Sequence, residues 1–172
     1  MSVLALDAAT LTGWATQIGD ARASGVWNLA GGPGDRVGVR FVALRDRLYD
    51  LCERIKFDLI AFEELALADK SLDSRIIRGG LRGVIDMVAT EFKTPIRPVA
   101  ITALKSFATG SGNASKSQMI QAARCRLGAR PIDDNEADAL WVLQYAITLR
   151  TEETAAVKRQ RTAPKLRQVK LF

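Results

Sequence analysis

Four carboxylates stand where a metal-dependent phosphodiesterase would need them. Asp7 closes the apolar run Ser2-Val3-Leu4-Ala5-Leu6, and Glu63 closes Leu59-Ile60-Ala61-Phe62. Asp134 and Asp138 lie together in Asp133-Asp134-Asn135-Glu136-Ala137-Asp138, where an apolar helical pattern begins. An acid at the end of a buried strand is poorly solvated, and a hard cation is its simplest partner. The chain has no histidine. An all-oxygen ligand set favours Mg²⁺, with Mn²⁺ able to replace it, over zinc. Two such ions roughly 4 Å apart can hold both the attacking water and the leaving oxygen of a phosphodiester. Without an imidazole, general-base work falls to metal-bound water, a carboxylate or a lysine.

Each acid also has a structural reading. Asp7 could simply form a turn after its strand. One of Glu63 and Glu64 should face solvent. Asp133 or Asp134 suits a helix N-cap with a favourable dipole contact. Asp138 is hardest to explain structurally, because it falls on the apolar face four residues into the helix, beside Ala137, Leu140, Trp141 and Val142. Asp134 and Asp138 share that face at a spacing of four. The small residues Ala137 and Ala139 would let the helix lie close to a sheet, bringing Asp138 to the strand ends that carry Asp7 and Glu63.

The elements that must position these acids follow from periodicity. Residues 2–7 read as a strand buried on both faces. Ala8-Ala9-Thr10 turns the chain into strands Thr12–Ile18 and Ala21–Leu29, joined by Gly19-Asp20. Gly31-Gly32-Pro33-Gly34 is a break. Val37, Phe41, Leu44, Leu48, Leu51 and Ile55 make one helical stripe. Asp58–Glu63 and Pro95–Val99 are short strands, and Ser71 caps a helix reaching about Phe92. Residues 101–108 form a short helix. After the loop Gly110–Asn113, Ser115 caps a helix ending at Leu127, with Gly128 as its C-cap. The last helix is expected from Asp134 to Arg150. The order β-β-β-α-β-α-β-α-α-α implies an α/β fold with a mixed sheet and helices on both faces. Residues 1–150 form one domain, and residues 151–172 lack periodicity and are expected to be a flexible tail.

The chain has 172 residues and a formal charge of +6, so an anion is the favoured partner, nucleic acid above all. Residues 151–172 carry Lys158, Arg159, Arg161, Lys165, Arg167 and Lys170 against Glu152 and Glu153, which leaves the body at only +2. Cys52 and Cys125 lack zinc or disulfide spacing and are expected to be buried in helices. That usage suits a reducing cytosol. Asp7 interrupts the first apolar run, so no signal peptide is expected, and no stretch approaches the ~18 apolar residues of a membrane span.

Five segments carry a family likeness: Leu4-Ala5-Leu6-Asp7 with Thr12-Gly13-Trp14-Ala15, Ala61-Phe62-Glu63, Leu81-Arg82-Gly83-Val84, Thr109-Gly110-Ser111-Gly112-Asn113-Ala114-Ser115-Lys116-Ser117-Gln118, and Ala137-Asp138-Ala139-Leu140. In order and spacing, across roughly residues 2–148, the chain resembles the RuvC-type Holliday-junction resolvases, including the short forms of phages and prophages. The resemblance implies a ribonuclease-H-like fold with a five-stranded mixed sheet. It implies a homodimer in a bacterial or phage-infected host cytosol. It also implies a Mg²⁺-dependent endodeoxyribonuclease that cuts four-way DNA junctions symmetrically, leaving 5′-phosphate and 3′-hydroxyl ends. By motif, Asp7, Glu63 and Asp138 match three of the family's acids, Lys116 matches its lysine near the scissile phosphate, and Lys105 falls near another basic position. The remaining acid usually lies three residues before the last, where this chain has Asn135. Asp134 takes that role, with Asp133 and Glu136 as alternatives. The first strand continues Asp7-Ala8-Ala9 where the bacterial family has Asp-Pro-Gly.

For DNA contact, Arg75, Arg78 and Arg82 recur on one helix face, interleaved with Gly79, Gly80 and Gly83, which favours close approach to a phosphate or a partner subunit. Ser115 and Lys116 open a helix whose N-terminal amides could hold a phosphate. Phe107 is a candidate wedge for junction bases, though a core role suits it better. The tail could add salt-sensitive, non-specific phosphate contacts. Two rivals stand beside the resolvase: a less selective nuclease for flaps or forks, and a structure-specific DNA-binding protein that does not cut.

Overall fold

The computed structural model describes residues 1–64, 71–131 and 133–162, with side chains as far as residue 156. Five strands form one mixed sheet: β1 (Ser2–Asp7), β2 (Leu11–Ile18), β3 (Ala21–Asn28), β4 (Leu59–Glu63) and β5 (Ile96–Val99). Five helices complete the described chain: α1 (Gly38–Arg54), α2 (Leu72–Glu91), α3 (Ile101–Thr109), α4 (Lys116–Leu127) and α5 (Asp134–Thr162). The strand order is β3-β2-β1-β4-β5. β1–β2 and β2–β3 are antiparallel, whereas β1–β4 and β4–β5 are parallel. The meander therefore supplies one half of the sheet, and the βα alternation supplies the other.

β1 is apolar from Val3 to Leu6 because it lies in the centre of the sheet and is covered on both faces. Successive side chains alternate between those faces. Leu4, Leu6, Ile60 and Phe62 pack under α1 and α2 with Leu44, Leu48, Leu81 and Ile85. Val3, Ala5, Leu59 and Ala61 pack under α3, α4 and α5 with Leu104, Met119, Trp141 and Val142. Trp141 is 1% exposed, and its indole N–H donates to Met119 O at 3.1 Å. The same alternation puts Asp7 and Glu63 on the α5 face, since Asp7 follows Val3 and Ala5 in parity and Glu63 follows Leu59 and Ala61.

α5 lies close to the sheet because small residues face each other there. Ala5, Ala15 and Ala61 on the strands and Ala139 and Ala146 on the helix are fully buried in one core, and Ala137 in the first turns of the helix is fully buried too. The tightest approach is at Gly13, which pairs with Asp7 across β1–β2. A Cβ on Gly13 would stand 1.9 Å from the carbonyl oxygen of Asn135. Only glycine lets the first turn of α5 settle against β2 at this point.

Most expected elements are present, with ends displaced by a residue or so. The main difference is at the C-terminus. α5 continues past Arg150 to Thr162, so no boundary of secondary structure falls at residue 150. Two contacts hold its middle to the sheet: Arg150 Nη1 donates to Asp58 O at 2.9 Å, and Arg97 pairs with Glu153 at 2.9 Å. The expected tail residues Lys165, Arg167 and Lys170 lie outside the described residues. Cys52 is buried as expected, but Cys125 is exposed on α4, because that helix covers the sheet with Met119 and Ala123 instead.

Gly13→Ala is expected to force α5 away from β2 and to destabilise the fold by about 1–3 kcal/mol, the usual range for overpacking. Urea unfolding of the two proteins checks this, and an unchanged midpoint would show that the contact is not tight.

Candidate active site

Asp7 and Glu63 end neighbouring parallel strands in matching register, Leu6 being opposite Phe62. Asp7 is 8% exposed, and Glu63 and Asp138 are half-buried. The three carboxyls form a closed ring of repulsion: Glu63 acts on Asp7, Asp138 on Glu63, and Asp7 on Asp138. Burial, and then this mutual repulsion, raises each of them to about 7. Asp134 joins the group by acting on both Asp7 and Asp138. Its own carboxyl is held below the ordinary carboxylate range, first by a hydrogen bond from Lys116, with which it forms an ion pair. Acids distant in sequence therefore meet at one place, the C-terminal end of β1 and β4 beneath the start of α5.

The other acids of this segment have different work. Asp133 caps α5, its Oδ1 accepting from Glu136 N at 2.9 Å, and its Oδ2 accepting from the Asn135 amide at 3.3 Å. Glu136 is buried and accepts from the Ser24 hydroxyl of β3 at 2.6 Å, on the side away from the acid group. Of the residues weighed for the remaining acid, Asp134 is the one in electrostatic contact with Asp7 and Asp138.

Three cations surround the group from three helices. Arg78 on α2 acts on Asp7 and Glu63, Lys105 on α3 acts on Glu63 and Asp138, and Lys116 on α4 acts on Asp7 and Asp138 as well as Asp134. The expected arginine row does not act as one surface. Arg82 lies 4.1 Å over the Phe62 ring and pairs with Asp86 at 2.9 Å, so it braces α2 against β4. Arg75 is exposed. Ser115 is committed to a capping box, accepting from Gln118 N while Gln118 accepts from Ser115 N. Lys116, the first residue of α4, carries its ammonium to Asp134. Phe107 is a packing residue, edge-on to Trp141 and Tyr145 at 6.0 and 5.1 Å.

Among the described residues no three acids are drawn together into a ready-made metal cage. The donor chemistry nevertheless fits a hard divalent cation. It is oxygen throughout, and its members repel one another until a positive charge arrives. Gly13 belongs to a quoted segment, but its part in seating α5 is visible only in the structure. An isolated glycine inside a strand is a sign of close backbone approach, and that signal was available.

No family model matches the chain. Crossover junction endodeoxyribonuclease RuvC of Anaeromyxobacter sp. (strain Fw109-5) is 35% identical over 104 residues, 60% of this chain and 50% of that protein. The RuvC of Prochlorococcus marinus (strain MIT 9303) is 32% identical over 110 residues, which cover 63% of this chain and 70% of the relative. The chain belongs to the RuvC family. Its fold agrees with solved RuvC structures. Thermus thermophilus RuvC in complex with Holliday junction substrate matches with a TM-score of 0.73 at 21% identity, covering 88% of this chain and 96% of that one. The chain spans about half the length of the Anaeromyxobacter RuvC proteins that it matches, 50% and 58% of them.

The raised carboxyls of this RuvC chain fix a direction for its stability. Between about pH 4 and 7 the folded chain holds protons on Asp7, Glu63 and Asp138 that the unfolded chain has lost, so stability falls as pH rises. Asp58 and Asp134, whose folded values are lowered, act in the opposite sense but only below about pH 4. Thermal melts in a chelator should therefore give a lower Tm at about pH 8 than at about pH 5. Added Mg²⁺ should raise the Tm more at the higher pH. A chelated protein that melts higher at pH 8 would contradict the buried acid group.

Proposed function

We propose that the chain is a Mg²⁺-dependent endonuclease that resolves four-way DNA junctions by paired symmetric incisions, leaving 5′-phosphate and 3′-hydroxyl ends. The observation that carries this reading is the meeting of buried acids from β1, β4 and α5, ringed by cations from α2, α3 and α4. Membership of the RuvC family and the likeness to a RuvC solved with a Holliday junction support the choice of substrate.

Asp7, Glu63, Asp134 and Asp138 would hold the divalent ions, with Mn²⁺ able to replace Mg²⁺. When bound, such ions supply charge to activate water and to stabilise the leaving oxygen. The chain's own residues do the rest. Lys116 offers its ammonium to the scissile phosphate, and its pairing with Asp134 keeps that carboxylate ionised and ready. Lys105 and Arg78 offset charge at the inner acids. Burial of Asp7 keeps bulk water away from the deepest ligand.

Two copies would be needed to cut opposing strands. A homodimer is supported by α2, where Leu72, Ile76 and Met87 are exposed and the intervening Gly79 and Gly83 have open space beside them. At these spacings they lie along one side of the helix. We assign residues 1–150 to the nuclease unit and residues 151–172 to a basic extension that adds non-specific phosphate contacts. The first part of that extension is helical. No helix among the described residues is long and apolar enough to cross a membrane, which accords with a cytosolic DNA-acting protein.

Asp138→Asn should leave junction affinity within about twofold. Cleavage should fall by more than the roughly 10–100-fold typical of losing an outer partner in a metal site. Gel-based cleavage in Mg²⁺ and binding in a chelator measure the two separately, and full cleavage by the variant would remove Asp138 from the site. The wild-type chain should cut a four-way junction faster than a flap or a linear duplex. Equal rates on the three would favour a general nuclease, and no cutting of any would favour the non-cleaving DNA-binding rival.

A further inference from the structure

A cleft of about 450 Å³ opens from the acid group, with Asp134 in its wall and Asp7, Glu63 and Asp138 outside its lining. Its walls come from the β1–β2 turn, the first turns of α2, and the starts of α4 and α5. Leu11 and Ile77 provide apolar surface, Arg78 provides positive charge, Lys116 and Asp134 form an ion pair in the wall, and Thr10 and Asn135 provide hydrogen-bonding groups. Leu11 is 45% exposed, a large apolar side chain left open on the wall of the cleft. The volume falls within the roughly 300–1,000 Å³ of small-ligand sites.

Two walls of the cleft are held in place by contacts within the fold. The Thr12 hydroxyl donates to Ala9 O at 2.6 Å, and Leu29 N donates to Thr10 O at 2.8 Å, so the β1–β2 turn is held from two sides. The α5 wall is set by the Gly13–Asn135 approach. A ligand matching this surface needs an anionic head and a flat, partly apolar body with polar edges. A stacked, paired base cannot offer such a body to a side cleft. An unstacked one can, and unstacking costs least where pairing is already broken.

We propose that this cleft seats one unstacked nucleotide adjoining the scissile phosphate, its base against Leu11 and Ile77 and its own phosphate toward Arg78, Lys116 being left to the scissile phosphate. The proposal rests on the endonuclease reading and deepens it. It makes a branch point the preferred substrate for a local reason, since only there is a base cheaply released beside the cut.

The test replaces, one at a time, each of the two nucleotides on either side of the scissile phosphate with an abasic residue in an otherwise intact junction. One position alone should lower kcat/KM by about fivefold to tenfold, the low end for losing one base contact. Leu11→Ala should lower kcat/KM on the intact junction by a similar factor, with no further loss on that abasic junction. At the other positions the Leu11→Ala loss should persist in full. Leu11 is exposed enough that its truncation should leave the Tm within about 2 °C, which a melt verifies. If the intact junction is cut but no position is sensitive, or if the two losses multiply, the nucleotide seat is wrong and the nuclease reading stands. If the intact junction is not cut, the nuclease reading fails. The same substitution cycle read as Kd by fluorescence anisotropy then decides the seat on its own.

Discussion

Everything at this site depends on how near a helix can come to a sheet. α5 carries two of the four acids, and β1 and β4 carry the other two. They meet only because alanines line both sides of the contact and a glycine removes the last obstacle at residue 13. A bulkier residue under α5 would leave the same four acids in the sequence and no common point for their charge. Packing here is a precondition of chemistry, not merely of stability.

That proximity has an electrostatic cost, and the fold tolerates it in a particular way. Asp7, Glu63 and Asp138 are crowded and half or fully desolvated, so they take protons readily. Asp134 lies at the margin with Lys116 and stays ionised. The outer ring of Arg78, Lys105 and Lys116 offsets part of that repulsion. A basic protein thus contains a local concentration of negative charge, and the surrounding positive charge is what would bring a polyanion to it.

Much of this was legible in the sequence, for reasons that can be named. β1 and β4 were recognisable because strands buried on both faces have little choice but to be apolar, and their terminal acids stood out against that background. α1 was marked by an apolar stripe, and α4 by Ser115 at its start and Gly128 past its end. The parity that puts Asp7 and Glu63 on one face follows from the pleat alone. Other features were not legible. The three arginines of α2 share a spacing, but Arg82 is drawn aside by Phe62 and Asp86, which only tertiary structure supplies. The continuation of α5 beyond Arg150 was hidden because that part of the helix meets the sheet through Arg97–Glu153 and Arg150–Asp58 rather than through a periodic apolar stripe. Cys125 looked like a core residue because cysteine so often is, yet it lies on the outer side of α4.

The Gly13–Asn135 contact joins a missing side chain on one element to a main-chain carbonyl on the other. Position 13 is therefore rigid in identity, whereas position 135 is constrained in place but not in kind. A socket of this sort lets the outermost acid migrate by one residue along the opening turn of α5 while the helix itself stays docked. Here Asn135 holds the docking position, and Asp134, one residue earlier, is the carboxyl that acts on Asp7 and Asp138.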